Sequence, residues 1–84
     1  MKWEVVVEKG AAKRLQRFPK SDQKRIAVAL IEMEGDPFSG DIVKLKGMAG
    51  FRRRIGAYRI LLDIDLEARR VEVTDIARRT STTY

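Results

Sequence analysis

The sequence predicts an α+β domain in the order β-α-α-β-β-β, a helical hairpin packed on a small, mainly antiparallel sheet. Three observations carry that expectation. A short β-branched run opens the chain at residues 3–7. Two stripes of apolar residues at helical spacing follow, separated by Pro19 and ended by Gly35. Beyond them come alternating apolar runs divided by Gly56 and Ala57, the pattern of a two-residue hairpin.

Each element has a local reason. Trp3, Val5 and Val7 share one side of the first run, as a half-buried strand requires, and Gly10 is read as its end. Ala11, Leu15 and Phe18 then recur at helical spacing, with Lys13, Arg14 and Arg17 outside that stripe. Pro19, which has no amide hydrogen, stops this helix. Ser21 is the expected N-cap of the second helix, with Asp22 in its first turn. Ile26, Ala29, Leu30 and Met33 form the buried stripe of that helix, and Gly35 ends it. Val28 and Ile31 lie off the stripe and are expected to pack against the first helix. Asp36-Pro37 and Ser39-Gly40 mark the one long loop, and residues 43–46 form a short extended piece closed by Gly47. Strands are expected over residues 51–55, 58–64 and 70–76, followed by a polar, basic tail.

The hairpin register has a chemical consequence. With Gly56 and Ala57 in the loop, Ile55 faces Tyr58, Arg54 faces Arg59, and Arg52 faces Leu61. Alternation then puts Phe51, Arg53 and Ile55 on one side with Tyr58, Ile60, Leu62 and Ile64, a core face apart from Arg53. Arg53 is expected either at an edge or with a buried stem and its head reaching solvent. Arg52, Arg54 and Arg59 share the opposite face. Like charges directly across a ladder destabilise it by a few tenths to about 1 kcal/mol. Three arginines kept together despite that cost point to an anion on the face, since guanidinium is permanently charged and forks onto phosphate oxygens. Arg78 joins the Arg59 face if the last strand runs on without a bulge; a bulge would bring in Arg79 instead. Tyr84 at the end of the chain is a candidate proton carrier or base-stacking ring.

Composition narrows the chemistry. A chain of 84 residues is the length of one domain. It contains no cysteine and no histidine, which excludes disulfides, thiolate metal sites and His-based nucleophile pairs. No metal or other cofactor is expected. The formal charge of +6 favours polyanionic partners. No apolar run approaches the roughly 20 residues that span a bilayer, and the N-terminus does not read as a secretory signal. A soluble cytoplasmic domain without a membrane partner is the expectation.

Three segments together resemble the RelE/ParE superfamily of toxins. Lys44-Leu45-Lys46-Gly47 is similar to the family's K-L-x-G element. Phe51-Arg52-Arg53-Arg54-Ile55-Gly56-Ala57-Tyr58-Arg59-Ile60-Leu61 resembles its Y-R-x-R-x-G-x-Y-R core. Ile76-Ala77-Arg78-Arg79 followed by Tyr84 resembles its C-terminal I-x-H-R…Y signature. The resemblance spans nearly the whole chain and implies one RelE-like toxin domain over residues 1–84, with a fold related to microbial ribonucleases. For RelE-like members it implies ribosome-dependent cleavage of mRNA in the A site, without metal, by attack of a ribose 2′-OH on the adjacent phosphate. By position, Arg52, Arg54, Arg59, Arg79 (or Arg78) and Tyr84 would be catalytic, and Lys44, Lys46 and Arg78 would contact RNA. The implied partners are the ribosome with its mRNA and a cognate antitoxin with an acidic, partly disordered segment, for which Lys13, Arg14 and Arg17 offer opposite charge. Rival readings are a ParE-like inhibitor of DNA gyrase without nuclease activity and a RelE fold that only binds RNA. The chain departs from the pattern where relatives carry lysines at Arg52 and Arg54, and where the histidine of the H-R pair is replaced by Ala77 or Arg78.

Overall fold

The computed structural model describes residues 2–47 and 49–78. It contains β1 (Glu4–Val7), α1 (Lys9–Gln16), α2 (Lys20–Gly35), β2 (Ile42–Lys44), β3 (Phe51–Ile55), β4 (Tyr58–Asp65) and β5 (Arg70–Arg78). The strands form one mixed sheet in the order β1-β5-β4-β3-β2, antiparallel throughout except where β1 runs parallel to β5. The extended piece expected near residue 43 is thus a true strand, β2, at the sheet edge. β1 is fixed at both ends: Glu4 N–H donates to Arg69 O at 2.9 Å and Glu8 N–H to Val73 O at 2.9 Å.

Two helix boundaries differ from expectation. The chain leaves β1 at Val7 and is helical from Lys9, so Gly10 lies inside α1. Pro19, not Ser21, caps α2. Its φ of −55° and ψ of 148° turn the chain out of α1, and its carbonyl accepts the Asp22 and Gln23 amides at 3.0 Å. Ser21 is already helical, and no side chain caps α2.

α2 buries Ile26, Ala29 and Met33. Ile26 and Met33, with Ala11 of α1, pack onto Tyr58, Ile60, Leu62, Val71, Val73 and Ile76, all from one face of the sheet. Leu15, Phe18 and Leu30 flank the same cluster. Both helices therefore cover one sheet face. Val28 and Ile31 do not pack on α1 as expected; they are 56% and 64% exposed on the outer side of α2.

One irregularity matters for function. Between Leu61 and Leu62 of β4 the partner on β5 jumps from Asp75 to Val73, so Thr74 is an inserted residue, with its hydroxyl donating to Leu61 O at 3.2 Å. A bulge of this kind reverses the alternation beyond it. Val71, Val73 and Ile76 all face the helices as a result, and Asp75 and Ala77 fall on the other face.

Candidate nucleic-acid interface

The sheet face without helices carries the arginines. The hairpin register is the expected one: Ile55 pairs with Tyr58, Arg54 with Arg59, and Arg52 with Leu61. Gly56 makes the turn possible, with φ of +54° at its first position. Arg52, Arg54 and Arg59 share this face, with Arg54 and Arg59 directly opposite each other.

Two cross-strand rows define the surface. Asp41, Arg54, Arg59 and Ala77 lie side by side in the first. Val43, Arg52, Leu61 and Asp75 form the second. Asp41, which sequence reasoning missed, accepts from Arg54 Nε at 3.0 Å, and its backbone carbonyl accepts from Arg54 N–H at 2.9 Å. The pair is about half exposed, so it orients Arg54 more than it stabilises the fold. Arg52 is half-buried, and its Nε is buried without a hydrogen-bond partner among the described residues. A bound anion would satisfy such a donor.

Arg53 is not an edge residue. It is 6% exposed beneath α2, where Nη1 donates to Ala29 O at 3.3 Å and Nη2 to Glu32 Oε1 at 2.5 Å. Gly40, at φ +82°, lies against this guanidinium, and a Cβ there would stand 2.8 Å from it. The loop before β2 therefore grips consecutive residues of β3 from opposite sides, Gly40 against Arg53 and Asp41 against Arg54.

The other expected site residues are distributed differently. Because of the Thr74 bulge, Arg78 pairs with Tyr58 and belongs to the helix side; Ala77 stands beside Arg59 in its place. Lys44 pairs with Phe51, so it alternates away from Arg52, and Lys46 is exposed in the turn that follows. Arg79 and Tyr84 lie outside the described residues. Tyr58 is buried against Phe18, ring centroids 4.6 Å apart, and its hydroxyl donates to Asp22 Oδ2 at 2.7 Å. That hydrogen bond, with burial and the Asp22 charge, pushes the Tyr58 hydroxyl above its ordinary value, against the pull of Arg78. Tyr58 is a structural donor on the wrong side of the sheet to act at the arginines.

The fold is that of RelE-like toxins. A chain of the archaeal RelE–RelB complex from Pyrococcus horikoshii OT3 superposes with a TM-score of 0.84 at 24% identity, over 98% of this chain and 100% of that one. The isolated Escherichia coli RelE toxin gives 0.81 at 17% identity, over 96% and 88%. The YoeB/ParE toxin from Agrobacterium tumefaciens gives 0.76 at 22% identity, over 92% and 99%. No protein-family model matches the sequence, and neither does any curated protein. No helix among the described residues is long and apolar enough to cross a membrane.

Proposed function

We propose that this chain is the toxin of a toxin–antitoxin pair and acts as a metal-independent endoribonuclease on mRNA in the ribosomal A site. The observation that carries the reading is the arginine face itself: Arg52, Arg54 and Arg59 set together on the helix-free side of a RelE-like sheet. In the proposed reaction a ribose 2′-OH loses its proton and attacks the adjacent phosphate. A 2′,3′-cyclic phosphate forms, and the 5′-oxygen leaves with a proton. Arg52, Arg54 and Arg59 hold the phosphate and neutralise charge as it builds on the non-bridging oxygens. None of them serves as general base, because guanidinium does not deprotonate in proteins. With Tyr58 held on the helix side, Tyr84 is the tyrosine left for proton transfer. With Arg78 turned to the helix side, the reading takes Arg79 as the tail arginine of the site. Lys44, which alternates away from Arg52, and Lys46, exposed in the turn that follows, are assigned to flanking RNA.

The partner is a cognate antitoxin with an acidic segment, by analogy with the RelE–RelB complexes that share the fold. Cytoplasmic action follows from the same reading. The rival, a ParE-like inhibitor of DNA gyrase, draws support from the fold match to the Agrobacterium toxin. Ribosome dependence gives the test. Oriented binding supplies several kcal/mol of barrier lowering in such reactions, up to about 7–11, and this site has no histidine. Cleavage of mRNA on ribosomes should therefore far outpace cleavage of the same RNA free in solution. Equal rates on both substrates would refute ribosome dependence.

A further inference from the structure

A second basic feature lies around the corner from the arginine face. Arg14 of α1, Arg17 at the C-cap of that helix and Arg78 of β5 rim an open groove floored by Phe18, Ile76 and Ala77. Arg14 is partly engaged by Asp75 at 3.6 Å. Arg17 and Arg78 make no side-chain hydrogen bond or ion pair among the described residues. The groove exists because β1 ends opposite Val73, whereas β5 runs on to Arg78. Beyond that point α1, rather than a strand, lies beside β5.

Two further facts join this groove to the arginine face. Ala77 lines the groove and is also the ladder partner of Arg59, one strand spacing (about 5 Å) away. Arg78 pairs with Tyr58, next to the hairpin turn, and Arg25 of α2 stands at that turn, with its Nη1 3.2 Å from where a Gly56 Cβ would be. Arginines thus surround this end of the sheet. The acidic strand residues Asp63, Asp65 and Glu72 lie toward the opposite end. Asp22, Asp41 and Asp75 also lie at this end, but they are outnumbered by Arg14, Arg17, Arg25, Arg54, Arg59 and Arg78, and a net positive end attracts a polyanion.

We infer that the groove between α1 and β5 is a second RNA subsite, taking a neighbouring phosphodiester and nucleotide of the strand whose scissile phosphate lies on the arginine face. This rests on the nuclease reading above. Arg17 and Arg78 bind the phosphate, and the apolar floor takes the ribose or base, the pairing of cations with apolar contacts by which proteins hold single strands. Arg78, displaced from the catalytic face by the Thr74 bulge, becomes an RNA contact on this second surface.

The test is oligonucleotide binding by the full chain. Fluorescent 2′-O-methyl RNA, which lacks the attacking hydroxyl, is titrated as a dinucleotide and as a hexanucleotide at several salt concentrations. The wild type should bind the hexamer at least about tenfold tighter than the dimer. Arg17→Ala/Arg78→Ala should erase most of that gain, leave dimer binding unchanged, and lower the salt slope for the hexamer by about 0.7, the single-strand value for one lost phosphate. Arg59→Ala should weaken both oligomers. Circular dichroism confirms that each variant is folded. Unchanged hexamer affinity in the double variant overturns the subsite and leaves the nuclease reading standing. Loss of hexamer binding in the double variant, with no effect of Arg59→Ala, supports the groove but removes the arginine face as the RNA site. If the wild type binds neither oligomer, both fail. A glutamate-rich peptide that binds the wild type but not the double variant, with hexamer affinity the same in both, would make the groove a peptide surface and overturn the proposal.

Discussion

Arg54 and Arg59 stand directly opposite each other across the β3–β4 ladder, on the face that neither helix covers. Arg54 is steadied by Asp41 on its other side, so the row reads carboxylate, guanidinium, guanidinium. The first prediction is that Arg59→Ala lowers the single-turnover cleavage rate on ribosomes by about 10²–10³, the loss typical of one charge-stabilising donor. The melting temperature should stay within about 5 °C of wild type, because removing a like-charge pair offsets lost contacts. A variant that cleaves normally would take Arg59 out of the site.

Glu32 should matter far more to stability than its exposure suggests. Arg53 is buried, and Glu32 and the Ala29 carbonyl are its acceptors. Glu32→Gln leaves the buried guanidinium without a countercharge and should cost about 1–2 kcal/mol in urea unfolding. Glu4→Gln, which breaks the exposed pair with Arg70, should cost less than about 0.5 kcal/mol. Equal effects would mean that the Arg53 pair is no more than another surface contact.

Tyr58 makes a pH prediction with a definite sign. Its hydroxyl is raised above the ordinary tyrosine value, first by the hydrogen bond to Asp22. A raised folded value means the native state holds its proton longer than the unfolded chain. The stabilisation is therefore complete below pH about 10 and is lost as pH rises through the folded value. Absorbance at 295 nm should show a tyrosine titrating late in the wild type, absent in Tyr58→Phe and shifted downward in Asp22→Asn. A Tyr58 that ionises as a free tyrosine does would contradict the Asp22 contact.

Tyr84→Phe separates chemistry from stacking. If Tyr84 moves protons, single-turnover cleavage should fall sharply while ribosome affinity barely changes. Wild-type cleavage by the Phe variant, with harm only in Tyr84→Ala, would leave Tyr84 as a stacking ring and the arginines as the whole of the catalytic apparatus.

Much of this was legible in the sequence. The Gly56-Ala57 loop between alternating runs fixed the pairing of Arg52, Arg54 and Arg59, because side-chain direction in a strand has period two and a two-residue turn leaves one register. The role of Arg53 was not legible. Its parity pointed it toward the core, but its partners, Ala29 and Glu32, lie more than twenty residues away. The choice between Arg78 and Arg79 stayed open for a different reason: nothing local to Thr74 announces a bulge, and one inserted residue moves everything after it to the other face. Ser21 looked like an N-cap, but Pro19 already supplied the extended residue that starts the helix. Asp41 was missed because its significance comes only from lying beside Arg54 in the completed sheet.

The most direct test of the central claim is primer-extension mapping of mRNA on translating ribosomes, run beside a gyrase supercoiling assay with the same preparation. The account predicts new 5′ ends within A-site codons, their loss in Arg59→Ala, and unaltered gyrase activity. Intact mRNA together with inhibited supercoiling would contradict it and establish the gyrase-directed alternative.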